Sequence, residues 1–145
     1  DNGTGRIANI SGQGFLHSYD YVGRWLSAVP KELTKGIETS FPGYPGGGGS
    51  DHASFIAAGA PAFMLSSLSW SYGNYTWHTN RDTYDKIIFD DVKSNVATIA
   101  ILTYMASEDP EKASAERIKM PNNPRTSEPM KWPAVKEPTR KGGFD

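Results

Sequence analysis

Two short stretches hold residues that could bind a metal ion or move a proton. The first is Asp51-His52, which follows closely on a run of four glycines at residues 46–49. The second centres on His78, within residues 75–83. Neutral imidazole and carboxylate oxygen both suit zinc, and an Asp beside a His can also act as an acid–base pair. Because adjacent side chains on an extended segment point in opposite directions, we expect at most one of Asp51 and His52 to face a given ion.

The glycine run does not predict a phosphate-binding loop. Such a loop needs Lys and then Ser or Thr after the glycines, with a helix opening there, whereas Ser50, Asp51 and His52 follow here. A carboxylate at that place repels phosphate, so the glycines are better explained as letting the backbone pass close to a site. The sequence contains no His-Glu-x-x-His zinc helix, no Gly-x-Ser-x-Gly turn and no cysteine. Any zinc site must therefore use His and carboxylate ligands.

Charge and hydropathy argue against nucleic acid and membrane as partners. The 15 basic and 16 acidic residues are interspersed and leave a net charge of −1, so no field large enough to gather nucleic acid or anionic lipid is expected. No apolar run approaches the roughly 18 residues of a membrane span. With 145 residues, 37% of them hydrophobic, the chain is one ordinary domain or part of a larger one. It has no initiator Met and no signal peptide precedes Asp1, so we expect a processed product or a piece of a longer chain.

Apolar spacing in the first 108 residues predicts alternating strands and helices. Strands are predicted at residues 7–10, 38–41 and 61–68, and helices at residues 19–29, 53–58 and 92–105. Pro30 ends the first helix and Gly59 the second, while Asp90 and Asp91 favour the positive end of the third. The third helix is apolar nearly all round, so we expect it to be internal. This order predicts an α/β fold with a mostly parallel sheet and flanking helices, although three short strands are few for a free-standing sheet.

The composition changes near Glu108, which predicts a division into residues 1–108 and an extended tail at residues 109–145. The first part holds seven basic and ten acidic residues, and the tail eight and six. The tail contains six of the ten prolines and shows no apolar period. Such a segment is ordered when another surface supplies contacts. We expect a partner protein to supply them, with Trp132 and Phe144 as anchors; packing on its own domain is the alternative.

Three motifs, taken in order, resemble the C-terminal half of metallopeptidase family 28. They are Asp-Asn-Gly-Thr-Gly-Arg-Ile at residues 1–7, Gly-Gly-Gly-Ser-Asp-His-Ala-Ser-Phe at residues 47–55 with Gly-Ala-Pro-Ala at residues 59–62, and Trp-His-Thr-Asn-Arg-Asp-Thr at residues 77–83. The family comprises secreted di-zinc aminopeptidases and carboxypeptidases related to plasma glutamate carboxypeptidase and the glutaminyl cyclases. The resemblance covers about residues 1–106 and leaves the tail outside. It implies part of a zinc-exopeptidase-like fold and an extracytoplasmic location, periplasmic or secreted.

The resemblance implies that Asp1 and His78 bind different zinc ions. Asp1 falls on an Asp that binds one zinc, and His78 falls on the terminal His that binds the other. Asp51 falls on an Asp near the substrate end of the site, where it positions substrate or supports a ligand. His52 and Asp82 look like supports that fix the two loops.

The aromatic residues of the third motif depart from the peptidase pattern. Trp77 stands where many of these peptidases carry Tyr or His, and it resembles the Trp of glutaminyl cyclases. An indole polarises a carbonyl less well than a phenol does, so Tyr72 or Tyr75 would have to supply the hydroxyl. Thr83 looks like a further support of this loop.

The remaining parts of the family site are missing from this sequence. The family also needs an earlier His, a bridging Asp and a Glu-Glu pair, in which one Glu is the general base that activates zinc-bound water. These precede the position of Asp1 in family order, and the sequence contains no Glu-Glu pair. A catalytic zinc usually takes three protein ligands. We therefore predict no catalytic residue in this chain, and expect that alone it neither holds zinc tightly nor hydrolyses a peptide.

Two functions stay open. In one, the chain is the C-terminal portion of a secreted di-zinc exopeptidase that acts on peptides together with a missing N-terminal half. In the other, it is a catalytically silent structural subunit of a larger extracytoplasmic assembly, held by its tail. Glutaminyl cyclisation, a third possibility, rests on Trp77 alone.

Overall fold

The computed structural model describes residues 3–46 and 49–136. These residues form three strands, namely β1 (Ile7–Ser11), β2 (Glu38–Ser40) and β3 (Met64–Ser67). They also form five α-helices, namely α1 (Ser18–Ser27), α2 (Lys31–Thr34), α3 (His52–Ala57), α4 (Tyr72–Tyr75) and α5 (Phe89–Glu108), with a 3-10 turn at Tyr84–Lys86. All six predicted elements are present, and the α/β class is confirmed.

The sheet is mixed, so the prediction of a mostly parallel sheet is wrong. Its order is β2-β1-β3, with β1 parallel to β2 and antiparallel to β3. Consequently β3 begins at the edge of the sheet where β2 ends, and the connection between them does not have to return along the sheet to its opposite edge. The helix in that connection, α3, is six residues or about 9 Å long and does not act as the crossover helix of a βαβ unit. An apolar run predicts a strand but says nothing of its direction.

The core lies between the sheet and the apolar faces of α1 and α5. Its buried residues are Ile7, Ile10, Tyr21, Val22 and Trp25. The three from α1 recur at helical spacing, which is why the sequence predicted that helix correctly. Leu102 and Met105 of α5 pack against the same cluster.

Helix α5 is not internal, contrary to the prediction. Thr98 is its one buried residue, whereas Val96 is 62% and Ile99 46% exposed. The helix is apolar nearly all round, but the described residues cover one side of it alone. Its first two turns instead use polar side chains, Asp91 and Asn95, to bind the backbone of residues 5–7.

The described part of the tail folds back on its own domain. Phe15 and Arg117 form an antiparallel bridge, and the Ile118 amide donates to the carbonyl of Gly14 at 2.9 Å. A turn closed by the bond from the Met130 amide to the Pro121 carbonyl then returns the chain to the domain. The predicted anchor Phe144 lies outside the described residues. A partner for the tail stays a prediction.

Trp132 is the main contact between the tail and the domain. Its ring packs edge to face on Phe15, with the centroids 5.5 Å apart, and its Nε1 donates to the carbonyl of Ile56 at 2.8 Å. The guanidinium of Arg117 lies over the Trp132 ring, 4.9 Å from its centroid. Phe15 and Ile56 are fully buried. Trp132 therefore anchors the tail, as predicted, but on the chain's own domain.

Candidate functional site

The two stretches singled out from the sequence lie at opposite edges of the sheet. Residues 70–83, the His78 loop, follow the end of β3, where Ser67 pairs with Ile7 at the start of β1. Residues 49–52, the Asp51 corner, lie near the start of β3, where Met64 pairs with Ser11 at the end of β1. No hydrogen bond or ring contact within residues 3–46 and 49–136 joins the loop to the corner. The structure does not bring Asp51 next to His78.

His78 is presented to solvent by a left-handed turn. Its φ is 59°, a conformation that is uncommon for a residue with a side chain. The imidazole stacks on Trp77 with centroids 4.0 Å apart, and neither ring nitrogen forms a hydrogen bond with another described residue. Below it, the Thr79 hydroxyl donates to the carbonyl of the buried Thr76 at 2.7 Å, which fixes the turn. A metal ligand needs one free ring nitrogen, and the exposed His78 provides one, although no described residue holds the other nitrogen.

Asp82 and Tyr72 tie this loop to the segment that follows Asp1. The Tyr72 hydroxyl donates to Asp82 Oδ2 at 2.7 Å, and this bond raises the pKa of Tyr72 because the carboxylate favours the protonated phenol. The Tyr72 ring lies so close to Gly3 that a Cβ there would be 2.8 Å from it. The predicted support role of Asp82 thus has a definite contact. Asp1 lies outside the described residues.

Two further aromatic side chains of the loop, Tyr75 and Trp77, form no such bonds with described residues. Tyr75 and Trp77 are exposed, and Tyr75 forms no side-chain hydrogen bond with a described residue. Thr83 donates to Asp85 at 2.6 Å. The pKa of Asp85 is lowered to about 2, mainly by its bond with the Lys86 ammonium and to a smaller extent by this bond from Thr83. Of the two tyrosines considered for a catalytic hydroxyl, Tyr75 is the one whose hydroxyl is available.

Two residues that the sequence reasoning missed hold residues 5–7 in place. Asp91 Oδ2 accepts from the Arg6 amide at 3.0 Å. Asn95, one helical turn later, accepts from the Ile7 amide at 2.8 Å and donates to the Gly5 carbonyl at 2.8 Å. The available signal was a pair of polar residues spaced i, i+4, which places Asp91 and Asn95 on the same face of the helix. In the sequence, the position of Asp91 indicates a helix start and says nothing of its contact with Arg6.

Gly5 is required by a close approach of two backbones. A Cβ at this position would overlap the carbonyl oxygen of Leu68, which directly follows β3. The Leu68 amide donates to the Arg6 carbonyl at 2.9 Å, so the pairing of β1 and β3 continues toward the His78 loop. The segment after Asp1 and the start of this loop are therefore adjacent.

The Asp51 corner differs from the expected geometry. Asp51 is the residue before α3 and His52 is its first residue, so the two do not lie on an extended segment, and the argument that they point in opposite directions fails. Asp51 is exposed and makes no side-chain cap. Both residues line a cavity of about 260 Å³ together with Met64, Leu65 and Ile99 among others. The cavity is where this corner could contact a ligand.

Gln13 holds the beginning of the glycine run against this corner. It is buried, has a φ of 53°, and its Oε1 accepts from the Gly46 amide at 2.7 Å. A Cβ on Gly46 would lie 3.7 Å from His52 Nε2. The backbone thus passes beside His52, at a distance that a side-chain carbon would also allow. Residues 47 and 48 lie outside the described part of the chain.

The described residues do not complete a zinc site. Within residues 3–46 and 49–136, no three His, Asp or Glu side chains lie close enough together to hold a metal ion. His78 fits the role of a ligand by its exposure and geometry. A zinc site needs more ligands than this part of the chain brings together.

Comparison with known families decides the ancestry of this arrangement. The sequence model of Peptidase family M28 matches residues 11–103, more than half of the chain. The chain belongs to peptidase family M28. The match contains the Asp51 corner and the His78 loop, ends before the tail, and makes a peptidase-like hydrolase the general function, in a family that is typically zinc-dependent.

No curated protein and no solved structure matches the chain. Among its described residues, no helix is both long and apolar enough to cross a membrane.

Proposed function

We propose that this chain is the C-terminal portion of an extracytoplasmic di-zinc exopeptidase of family M28, in which His78 binds one zinc and Asp1 the other. The observation that supports this most strongly is His78 itself. It lies in the family's motif, is exposed on a left-handed turn, and keeps both ring nitrogens clear of other described residues. A turn of this kind persists where surrounding structure maintains it, which favours a functional role.

The remaining ligands and the general-base Glu come, in this proposal, from residues that precede Asp1 in family order. The chain alone contains no catalytic residue in the strict sense, and it contributes ligands and positioning groups to peptide-bond hydrolysis. Its two ligands serve different ions, so removing either should affect one ion more than the other.

An apolar groove supports association with a further part of the domain. It has a volume of about 370 Å³, lies between α1, the sheet and α5, and its lining is apolar apart from Thr103. Its lining residues include Trp25, Phe63, Ile99 and Leu102. Apolar surface of this kind gains about 25 cal/mol for each Å² that is removed from water. We propose that the N-terminal half of the domain covers it.

The other site residues act on the substrate or on the loops. Asp51 and His52 are separated from the His78 loop by β3, whose four residues span about 10 Å. They would therefore contact the peptide away from the bond that is cleaved. Trp77 and Tyr75 wall the metal side of the site, and Asp82 holds the loop through Tyr72.

One observation favours the alternative of a catalytically silent subunit. The tail lies outside the family match, and it presents Met130 and Val135 as exposed apolar side chains. In this alternative, the tail holds the chain in a larger extracytoplasmic assembly, and the peptidase loops serve as structure.

Zinc content and activity of the protein expressed from its complete reading frame separate the two functions. For the exopeptidase, we expect two zinc ions, and we expect His78→Ala to lose about one of them and to lower the hydrolysis of peptide substrates by about 100-fold. His17→Ala is the matched control, because His17 is an exposed histidine that contacts Glu116 and Asp20 at the other edge. Equal zinc content and activity in wild type and His78→Ala would contradict the exopeptidase. A reading frame without an upstream His, Asp and Glu-Glu pair would do the same.

A further inference from the structure

We propose that Asp91 is a positioning residue that fixes the His78 loop relative to the segment that follows Asp1. A single oxygen, Asp91 Oδ2, accepts hydrogen bonds from the Arg6 amide at 3.0 Å and from Trp70 Nε1 at 3.2 Å. The inference deepens the proposed function and rests on it for the role of His78 as a ligand. The bridge between the two segments stands on the geometry alone.

Trp70 begins the turn that leads to His78. Its φ is 44°, and the next residue, Ser71, has a φ of 60°. Two consecutive left-handed residues that are not glycine are strained, so contacts must hold them. Trp70 is 62% exposed and packs against no other aromatic ring among the described residues. Two hydrogen bonds hold this turn, since the Tyr72 amide donates to the Ser69 carbonyl at 2.7 Å and Trp70 Nε1 donates to Asp91.

Arg6 is held from both sides. Its amide donates to Asp91, and its carbonyl accepts from the Leu68 amide at 2.9 Å. Asn95 fixes the neighbouring Gly5 and Ile7 from the same face of α5. Helix α5 therefore serves as the rigid reference for residues 5–7, and Asp91 extends that reference to the His78 loop.

Asp91 and Asn95 have different partners, and this difference allows the proposal to be tested. The Asn95 side chain bonds to the backbone of Gly5 and Ile7 and to no described residue of the His78 loop. The Asp91 side chain bonds both to the Arg6 amide and to Trp70 in that loop. Metal ligands must keep their relative positions within about 0.5 Å, so a residue that joins both ligand-bearing segments affects metal binding without touching the ion.

The first measurement is amide hydrogen exchange in the full 145-residue chain, followed in peptides that cover residues 3–9 and 69–80. We expect Asp91→Ala to raise exchange about fivefold in both peptides, because each segment loses one hydrogen bond to the Asp91 carboxylate. Asn95→Leu should raise it in the first peptide alone. Asp91→Asn should behave like wild type, since the amide oxygen can accept both bonds.

Two controls separate positioning from general destabilisation. Asp90→Ala removes the neighbouring carboxylate, which is almost fully exposed and pairs with Lys93 at 3.6 Å, and should leave both peptides unchanged. Val22→Ala weakens the core away from the loop, and should raise exchange broadly. If Asp91→Ala leaves residues 69–80 at the wild-type rate, or if Val22→Ala gives the same two-peptide pattern, the bridge is refuted.

The second measurement is zinc affinity of the protein expressed from its complete reading frame, by competition with a chelating dye. We expect Asp91→Ala to weaken zinc binding about tenfold, Asp91→Asn to restore it, and Asp90→Ala to have no effect. Unchanged affinity in Asp91→Ala would refute the positioning role. If wild type binds no zinc, the proposed function is wrong, and the exchange experiment still decides whether Asp91 couples the two segments.

Discussion

The two edges of the small sheet are held together by different forces. At the edge of the His78 loop, polar groups near the surface join separate segments, as Asp91 does for Arg6 and Trp70 and as Asp82 does for Tyr72. At the edge of the Asp51 corner, the ring of Trp132 covers the fully buried Phe15. One edge is specified by hydrogen-bond geometry and the other by apolar burial.

This difference suggests a division between stability and chemistry. Apolar burial contributes more free energy per residue than hydrogen bonds that compete with water. Hydrogen bonds between exposed groups, in contrast, fix positions without making the region the most stable part of the fold. We expect the Trp132 edge to carry global stability, and the His78 edge to open locally while the rest stays folded.

Among the variants that test this difference between the two edges, Trp132→Ala is expected to change stability the most. The change removes the ring from Phe15, the bond to Ile56 and the contact with Arg117, and should lower the free energy of unfolding by about 3 kcal/mol. Urea denaturation followed by circular dichroism measures it. Trp77→Ala, at the other edge, is the matched control and should cost under about 0.5 kcal/mol, because that ring is exposed. Equal losses would show that the two edges do not differ in stability.

The next effect compares two glycines. Gly5→Ala places a methyl group against the backbone of Leu68 and should destabilise the protein by about 2 kcal/mol. Gly23→Ala lies in α1 with nothing near the added carbon and should stabilise it by about 0.5–1 kcal/mol. Thermal unfolding of both variants checks the signs. A neutral Gly5→Ala would mean that the backbones at the His78 edge are not in close contact.

A smaller effect concerns Tyr21 in the core between the edges. Its hydroxyl is buried without a hydrogen-bond partner among the described residues, and burial raises its pKa to about 12. Tyr21→Phe should therefore stabilise the protein by about 1 kcal/mol, as measured by urea denaturation, while Tyr19→Phe at the surface should change nothing.

The same burial of Tyr21 predicts an alkaline transition. The folded pKa lies above the unfolded value of about 10, so the stability is fully present below pH 10 and is lost as pH rises toward 12. Tyr21→Phe should reduce this loss. An identical alkaline transition in the variant would assign it to another group.

The smallest effect is local to the His78 loop. Asp82→Asn removes the carboxylate that raises the pKa of Tyr72, so Tyr72 should titrate closer to its ordinary value of about 10. Absorbance at alkaline pH reports this change, and Asp85→Asn, a neighbouring carboxylate without a bond to Tyr72, should leave it unaltered. In wild type, the contribution of the bond is present below pH 10 and is lost as pH rises through the raised pKa of Tyr72.

The sequence predicted the elements better than their arrangement. The spacing of Tyr21, Val22 and Trp25 predicted α1 because periodicity is a local property. The direction of β3 and the exposure of α5 depend on what lies beside them, and apolar patterning does not specify that. The prediction of an internal α5 was wrong because apolar residues all round a helix favour burial, but they do not indicate which part of the protein covers the helix.

The candidate site shows the same limit. The motif around His78 was identifiable because its residues are consecutive. The bonds from Asp91 to Arg6 and from Asn95 to Ile7 join residues 85 and 88 positions apart, and nothing in the local sequence indicates such partners. Likewise, Trp132 was recognisable as an anchor, but its contacts with Phe15 and Ile56 required the fold.

The antiparallel direction of β3 makes it a spacer between the Asp51 corner and the His78 loop. Its four residues span the distance between these two edges, and its ends pair with Ser11 and Ile7 of β1, with a register shift between Ile7 and Asn9. A single inserted residue would turn the following side chains to the opposite face of the sheet and rotate the loop with them. An insertion of two residues in β3 would therefore keep the orientation of the His78 loop, whereas an insertion of one residue would reverse it.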